Sequence, residues 1–183
     1  LRREHAQPAV MATRRAAARW ACVMAASFST GLSAAAPLRC AVEAPSQVAS
    51  GQPVWLRFTL ANIGPKALQV LRWNTPWEGQ WFAPFVAVEV DGRALRYAGP
   101  VMKRAEPGAE DYLRLEASAS TTALVDLALP FQLGQPGTYR VMPRVRLMDV
   151  FDAATSAPPM PRERHAAMDL PCALVTFTVV TPR

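Results

Sequence analysis

Histidine, cysteine and paired carboxylates are the side chains from which catalytic centres are most often built, and this sequence offers few of them in usable positions. It has two histidines. His5 stands near its start. His165 sits among prolines without a second histidine nearby, so neither an HExxH pair nor a tetrahedral zinc set can be assembled around it. A surface position is the plainer reading of His165. Glu110 and Asp111 are adjacent, which on a strand would send them to opposite faces; an exposed turn or strand start accounts for them. The sequence contains no GxSxG elbow and no glycine-rich phosphate loop. Three cysteines remain, and a Cys–His nucleophile pair would require a thiol that stays reduced. These residues predict a protein that is not an enzyme and has no metal or cofactor. Its chemistry would be recognition.

The cysteines are informative in another way. Cys22 falls in a segment that opens at Met11, carries Arg14, Arg15 and Arg19, and continues as an apolar run from Trp20 to Ala36. A basic start followed by a short apolar stretch is the pattern of a secretory signal peptide. Ser33-Ala34-Ala35 supplies the small residues for cleavage before Ala36, and residues 1–10, ahead of the first methionine, read as upstream translation. The run from Trp20 to Leu32 is shorter than the ~20 residues of a membrane-spanning helix. Leu38-Arg39-Cys40 is not a lipidation signal, because Arg39 stands where a small residue is needed. The expectation is a secreted or periplasmic protein with no stable membrane anchor. Residues 1–35 are the upstream residues and leader, and residues 36–183 form one domain. Cys40 and Cys172 are then the thiols left in an oxidising compartment, where they predict a disulfide. Such a bridge closes nearly the whole domain and, by loop entropy, contributes about 4–5 kcal/mol. Two unpaired thiols are the alternative.

The formal charge of +6 comes mostly from the leader. Residues 1–36 hold Arg2, Arg3, Arg14, Arg15 and Arg19 against Glu4, which leaves 15 basic and 13 acidic residues beyond them, a net of +2. Lys103-Arg104 and the spaced Arg140, Arg144 and Arg146 make no dense basic run. No nucleic-acid partner is expected.

Short runs of alternating apolar residues, separated by turn signals every 8–12 residues or so, describe a β-sandwich. Val54, Leu56, Phe58 and Leu60 share one face at period two. Leu68–Trp73 follows the turn Asn62-Ile63-Gly64-Pro65. Phe85–Val90 and Ala94–Tyr97 flank Asp91-Gly92, a strong hairpin signal. Tyr112–Leu115 and Thr122–Leu127 flank the polar turn 116–120, and Thr138–Leu147 and Ala173–Val180 complete the set. Gly137-Thr138-Tyr139 suits the corner where such folds place a tyrosine. Residues 152–171, with Pro158, Pro159, Pro161 and Pro171, predict a long proline-rich loop. The fold class is therefore all-β, an immunoglobulin-like antiparallel sandwich of about seven strands.

One segment stands apart. Leu71-Arg72-Trp73-Asn74-Thr75-Pro76-Trp77-Glu78-Gly79-Gln80-Trp81-Phe82 holds three of the five tryptophans around an Asn-Thr-Pro turn. Aromatic clusters on loops mark interfaces. The competing reading is that these rings close one end of the sandwich, which is the stronger one for Trp73 and an even match for Trp77 and Trp81.

The same segment carries a family resemblance. Trp73-Asn74-Thr75-Pro76-Trp77-Glu78-Gly79 is followed by Val90-Asp91-Gly92, then Tyr97-Ala98-Gly99 and Lys103-Arg104, then Val125-Asp126-Leu127 and Gly137-Thr138-Tyr139. This order resembles the non-catalytic, propeptide-like N-terminal region of secreted deuterolysin-like (aspzincin) metalloendopeptidases, over about residues 40–147. Trp77 replaces the usual leucine and keeps its bulk and apolarity. In that family a zinc protease domain with an HExxH pair follows, and no such pair occurs up to Arg183. The resemblance implies a propeptide-like domain without its protease, acting as an inhibitor or folding module on a protein partner, a secreted zinc protease. A cell-envelope binding or structural domain unrelated to proteolysis is the alternative. The expected partner-binding residues are Trp73, Asn74, Thr75, Pro76, Trp77, Glu78, Gly79 and Trp81, with Lys103 and Arg104 beside them.

Overall fold

A computed structural model describes residues 37–182; the expected signal peptide lies outside them. Thirteen strands follow one another: β1 (Leu38–Glu43), β2 (Gln47–Ala49), β3 (Trp55–Asn62), β4 (Leu68–Leu71), β5 (Val86–Val90), β6 (Arg93–Ala94), β7 (Tyr112–Leu115), β8 (Ser120–Asp126), β9 (Gly137–Pro143), β10 (Val145–Leu147), β11 (Val150–Asp152), β12 (Met168–Leu170) and β13 (Val175–Val180). Period-two alternation decides which way each long strand faces. In β3, Leu56, Phe58 and Leu60 are fully buried while Trp55 and Arg57 face out. Tyr139 and Val141 of β9, and Phe177 and Val179 of β13, point inward by the same rule.

Two sheets face each other across this core. One runs β1-β3-β8 and the other β2-β13-β9-β5-β6. Every pair in them is antiparallel except β13 with β2, which is parallel. The sheets meet where Phe58 packs edge-on against Phe85, 5.9 Å between ring centres. The β3–β8 ladder resumes as β4–β7, and the β9–β13 ladder as β10–β12, each after a break. The first break is tied by Asn62, which is 1% exposed. Its Nδ2 donates to Lys66 O (2.7 Å), Glu116 O (3.0 Å) and Leu115 O (3.2 Å), and its Oδ1 accepts the Gly64 N–H (3.0 Å). The fold is the expected all-β, immunoglobulin-like sandwich, but with thirteen strands among the described residues in place of about seven, because short strands and broken ladders divide it more finely; Cys40 and Cys172 are bonded across 132 residues, Cα atoms 4.9 Å apart.

Two sequence features keep their expected roles. Asp91 and Gly92 take positive φ (47° and 80°) between β5 and β6, as a two-residue hairpin turn requires. The Tyr139 hydroxyl donates to Gln135 O (2.7 Å), upstream on the same chain, and the ring stacks on Phe177.

Three expectations need correction. Residues 152–171 are not one loop. Asp152 ends β11, Arg162–Arg164 form a 3-10 turn, and Met168–Leu170 form β12, with Met160 buried between them. Thr138–Leu147 is two strands, because Pro143 has no N–H to give on the β13 side, where the partner changes to β12, while the Arg144 N–H keeps the β5 register by donating to Phe85 O (2.8 Å). Of Ala94–Tyr97, Ala94 is in the strand and the Leu95 N–H still donates to Val88 O (2.8 Å), after which the chain leaves the sheet.

Candidate functional site

The tryptophan segment is a compact turn built from local hydrogen bonds. Thr75 is extended, with its Oγ1 donating to Arg72 O (2.6 Å), and Pro76 opens a single 3-10 turn over Pro76–Glu78. Gly79, at φ 80°, ends it in the left-handed conformation that glycine adopts without strain. Asn74 is also left-handed (φ 60°), and its backbone N–H donates to Glu78 Oε2 (2.8 Å). The other Glu78 oxygen accepts from Arg104 Nη2. One carboxylate thus closes its own turn and holds the arginine of the Lys103-Arg104 pair. The Arg104 guanidinium lies 4.8 Å from the Phe82 ring centre and 5.2 Å from that of Trp73. Both members of the ion pair are mostly buried, with side chains 12% and 18% exposed. Losing one member of such a pair strands a desolvated charge.

The structure brings Arg104 to the segment as expected, but it corrects the place of the aromatic rings. Trp73, Trp77 and Trp81 are 7%, 7% and 6% exposed and belong to the interior. Trp77 meets Phe58 edge-on at 6.4 Å, and Trp81 stacks on Phe85 at 4.1 Å. The Trp81 Nε1–H donates to Asp126 O (3.0 Å). The physical reason is area, since three indoles in a short turn carry more apolar surface than a turn can leave in water. Thr75 and Pro76 are buried as well, Asn74 and Glu78 are half-buried, and Gly79 and Lys103 are exposed. Trp73 Nε1, Asn74 Oδ1, Trp77 Nε1 and Arg104 Nε are covered yet have no hydrogen-bond partner among the described residues. Ring packing and the ion pair hold this cluster together.

Beside the turn lies a groove of about 350 Å³, floored by Trp81, Phe82 and Val125 and rimmed by Trp55, Leu124 and Leu129. The rim residues are 53%, 52% and 74% exposed, so this is where apolar surface meets solvent. The sequence reading missed it. The alternation that buries Leu56 also sends Trp55 outward, which was a signal that could have been used.

A second polar cluster sits between β7, β11 and the segment that follows. Tyr112 Oη donates to Asp149 Oδ2 (2.9 Å), and the Ala166 N–H donates to Asp149 Oδ1 (2.9 Å). His165 Nε2 lies 2.9 Å from Met160 O. A carbonyl only accepts, so Nε2 carries the hydrogen. The His165 side chain is 13% exposed, which corrects its reading as a surface residue. Burial, then the bond to Asp149, pushes the Tyr112 phenol up to about 12. The cluster pins residues 149–166 onto the sandwich. Among the described residues no group of three or more His, Cys, Asp or Glu is placed to hold a metal ion.

No family model matches the chain. Ninety-two residues, 50% of the chain, are 34% identical to part of the extracellular protease of Aeromonas hydrophila, and they correspond to 26% of that protein. The chain thus spans about a quarter of the length of the relative it matches. Among solved structures, a CARDB domain from Pyrococcus furiosus, in complex with di-metal ions, is similar over 79% of this chain and 94% of its own (14% identity, TM-score 0.34). An alkylpurine DNA glycosylase from Pseudomonas fluorescens, bound to DNA containing an abasic-site analog, is similar over 79% and 30% (15% identity, TM-score 0.34). Both likenesses are loose. Half of this chain is related to a region of an extracellular protease.

Proposed function

We propose that this chain is a secreted or periplasmic, non-catalytic domain that binds a protein partner, as a propeptide-like inhibitor or folding module of a protease. The observation that carries the reading is the 34% identity over 92 residues to part of an extracellular protease. The Trp-Asn-Thr-Pro-x-Glu-Gly and Lys-Arg segments support the finer assignment to deuterolysin-like zinc endopeptidases. Glu78 and Arg104, one from each segment, are bonded to each other, which gives the two a shared structural reason to recur together. The Cys40–Cys172 bond suits an oxidising compartment. No helix among the described residues is long and apolar enough to cross a membrane.

The test is titration of the purified domain against secreted deuterolysin-type zinc endopeptidases expressed without their own pro-regions. The expected result is a 1:1 complex that slows peptide cleavage or raises the yield of refolded enzyme. An absence of binding, with cleavage rate and refolding yield both unchanged, overturns the reading.

A further inference from the structure

Between β6 and β7 the chain leaves the sheets, and three consecutive residues of it stand in solvent. Val101 is 74% exposed, Met102 is 44% exposed, and Lys103 is exposed beside them. Residues 100–105 run without a turn or bend. Exposed connections are usually mobile, but this one is tied down on both sides. Ahead of it the Ala98 N–H donates to Pro130 O (2.9 Å) and the Tyr97 hydroxyl donates to Pro100 O (2.9 Å). In its middle the Met102 N–H donates to Phe82 O (3.0 Å). Beyond it Arg162 Nη2 donates to Arg104 O (2.8 Å) and to Ala105 O. Arg162 Nε also lies 3.2 Å from Glu106 Oε1, and the Arg104 side chain is held by Glu78.

What lies between these ties is presented outward. In an extended chain Val101 and Lys103 send their side chains to one face and Met102 to the other. The Met102 N–H faces Phe82, so by the same alternation the main-chain groups of Val101 and Lys103 point away from it. Those groups have no hydrogen-bond partner among the described residues. Charge separates Lys103 from its neighbours. Arg104 is paired with Glu78 and Arg162 with Glu106, whereas Lys103 has no ion-pair partner among the described residues. The segment therefore offers an apolar side chain and an uncompensated cation, two residues apart on one face of a restrained, extended backbone.

We propose that Val101-Met102-Lys103 enters the substrate cleft of an endopeptidase, with Val101 in an apolar subsite and Lys103 against a carboxylate of the cleft. A cleft that receives an extended peptide bonds to its main chain and reads its side chains at alternate positions. A segment already held in that form loses little entropy on entry. The cation selects the partner, because a lysine that is desolvated on binding needs an opposite charge. The ties also explain why such a segment would block the cleft and not simply be consumed. Met102 and Arg104 are fixed on either side of Lys103, so neither end of a severed chain could leave. Leu129, 74% exposed, lines the neighbouring groove together with Gly99 and Pro100. It extends the contact toward the ~800 Å² per partner of protease–inhibitor pairs.

The inference rests on the reading of this chain as a protease-directed domain, and the test keeps the two apart. Peptide cleavage is followed for a deuterolysin-type zinc endopeptidase and for trypsin, whose primary pocket carries a carboxylate. The domain is expected to compete with substrate in at least one of them, raising the apparent KM and leaving kcat unchanged. Lys103→Glu should weaken that inhibition about a hundredfold and Val101→Asp about tenfold, while Lys103→Arg retains it. Both positions are exposed, so the variants keep the melting temperature of wild type, which serves as the control on folding. If the zinc endopeptidase is inhibited equally by wild type and Lys103→Glu, the loop proposal falls and the protease reading stands. If trypsin alone is inhibited and Lys103→Glu removes the effect, the loop stands and the zinc assignment falls. Inhibition of neither enzyme overturns the proposal. So does cutting of the Lys103–Arg104 bond as fast as in a free peptide of residues 98–107, which would make the loop a substrate. A dimer in sedimentation that shields Lys103 from acetylation would give the surface to a second copy, and the proposal would fall.

Discussion

Glu78 shows how much one side chain can organise in a turn. It accepts a backbone N–H from its own turn and an ion pair from Arg104, 26 residues further along. The sequence marked both residues as members of one surface. Their proximity was readable, but their burial was not, because Glu and Arg look alike on a surface and in a desolvated pair. Trp77 illustrates the same limit. A tryptophan in an Asn-Thr-Pro-Trp turn suggests an interface, and only the facing Phe58 ring at 6.4 Å decides otherwise. Trp77→Ala should therefore lower stability by about 3–5 kcal/mol in urea unfolding, as large core truncations do. A change below about 0.5 kcal/mol, the level of an ordinary surface substitution, would mean that the ring is solvated. The tyrosines give a second test. Burial raises the phenols of Tyr97, Tyr112 and Tyr139, and Tyr112 reaches about 12. A folded-state pKa above the unfolded value of ~10 favours the neutral phenol, so its stabilising effect is complete below pH ~10 and is lost as pH rises toward the folded value. Native protein should show delayed tyrosinate absorbance relative to protein in denaturant. Coincident titration curves would contradict the burial of all three rings.

Strands long enough to show period two were legible: β3, β5, β9 and β13 each announce their inward face. The three-residue strands β2, β11 and β12 were not, because each exists through its partner and not through a pattern. Odd-numbered residues from Tyr139 to Leu147 keep alternating inward through Pro143, so the exchange of ladder from β13 to β12 left no mark on the periodicity. Asn62 belongs to this scale. Asn62-Ile63-Gly64-Pro65 reads as a turn, and it is one. The bonds from Nδ2 to Leu115 O and Glu116 O, 53 and 54 residues away, could not be read from it. They tie the break between β3 and β4 to the break between β7 and β8, so the two interrupted strands bend together. Asn62→Ala takes a partner from the Lys66 and Leu115 carbonyls and from the Gly64 N–H, while Glu116 O keeps the Ala119 N–H (3.1 Å). Its expected cost is about 2–3 kcal/mol, from the ~1–3 kcal/mol of each stranded group less what water recovers. Chemical denaturation measures it, with exchange of the Gly64 amide as the local report. A loss under about 0.5 kcal/mol would show that solvent enters the turn and replaces these bonds.

At the scale of the whole molecule, two sheets share one core, and a covalent bond joins its first strand to the entry of its last. Cys40 sits in β1, and Cys172 lies between β12 and β13. The bond was legible by elimination: the expected leader removes Cys22, and the expected oxidising compartment pairs the two cysteines that remain. What it restrains became clear only from the topology. β1 is an outer strand of its sheet, held on one side by β3, and β13 sits in the opposite sheet between β2 and β9. The bridge therefore clamps the two layers at one edge as well as shortening the unfolded chain. Cys172→Ser should cost about 4–5 kcal/mol by loop entropy, less any strain the bond imposes on the native state. The loss should appear mainly as a lower unfolding midpoint with the denaturant slope changed too, because the unfolded chain becomes more expanded without the cross-link. Peptide mapping after alkylation checks the premise independently. Before reduction neither Cys40 nor Cys172 should take up the reagent, and after reduction both should. Modification of both without reductant would show two free thiols, and the clamp would then have to be sought in the packing of β1 against β3 alone.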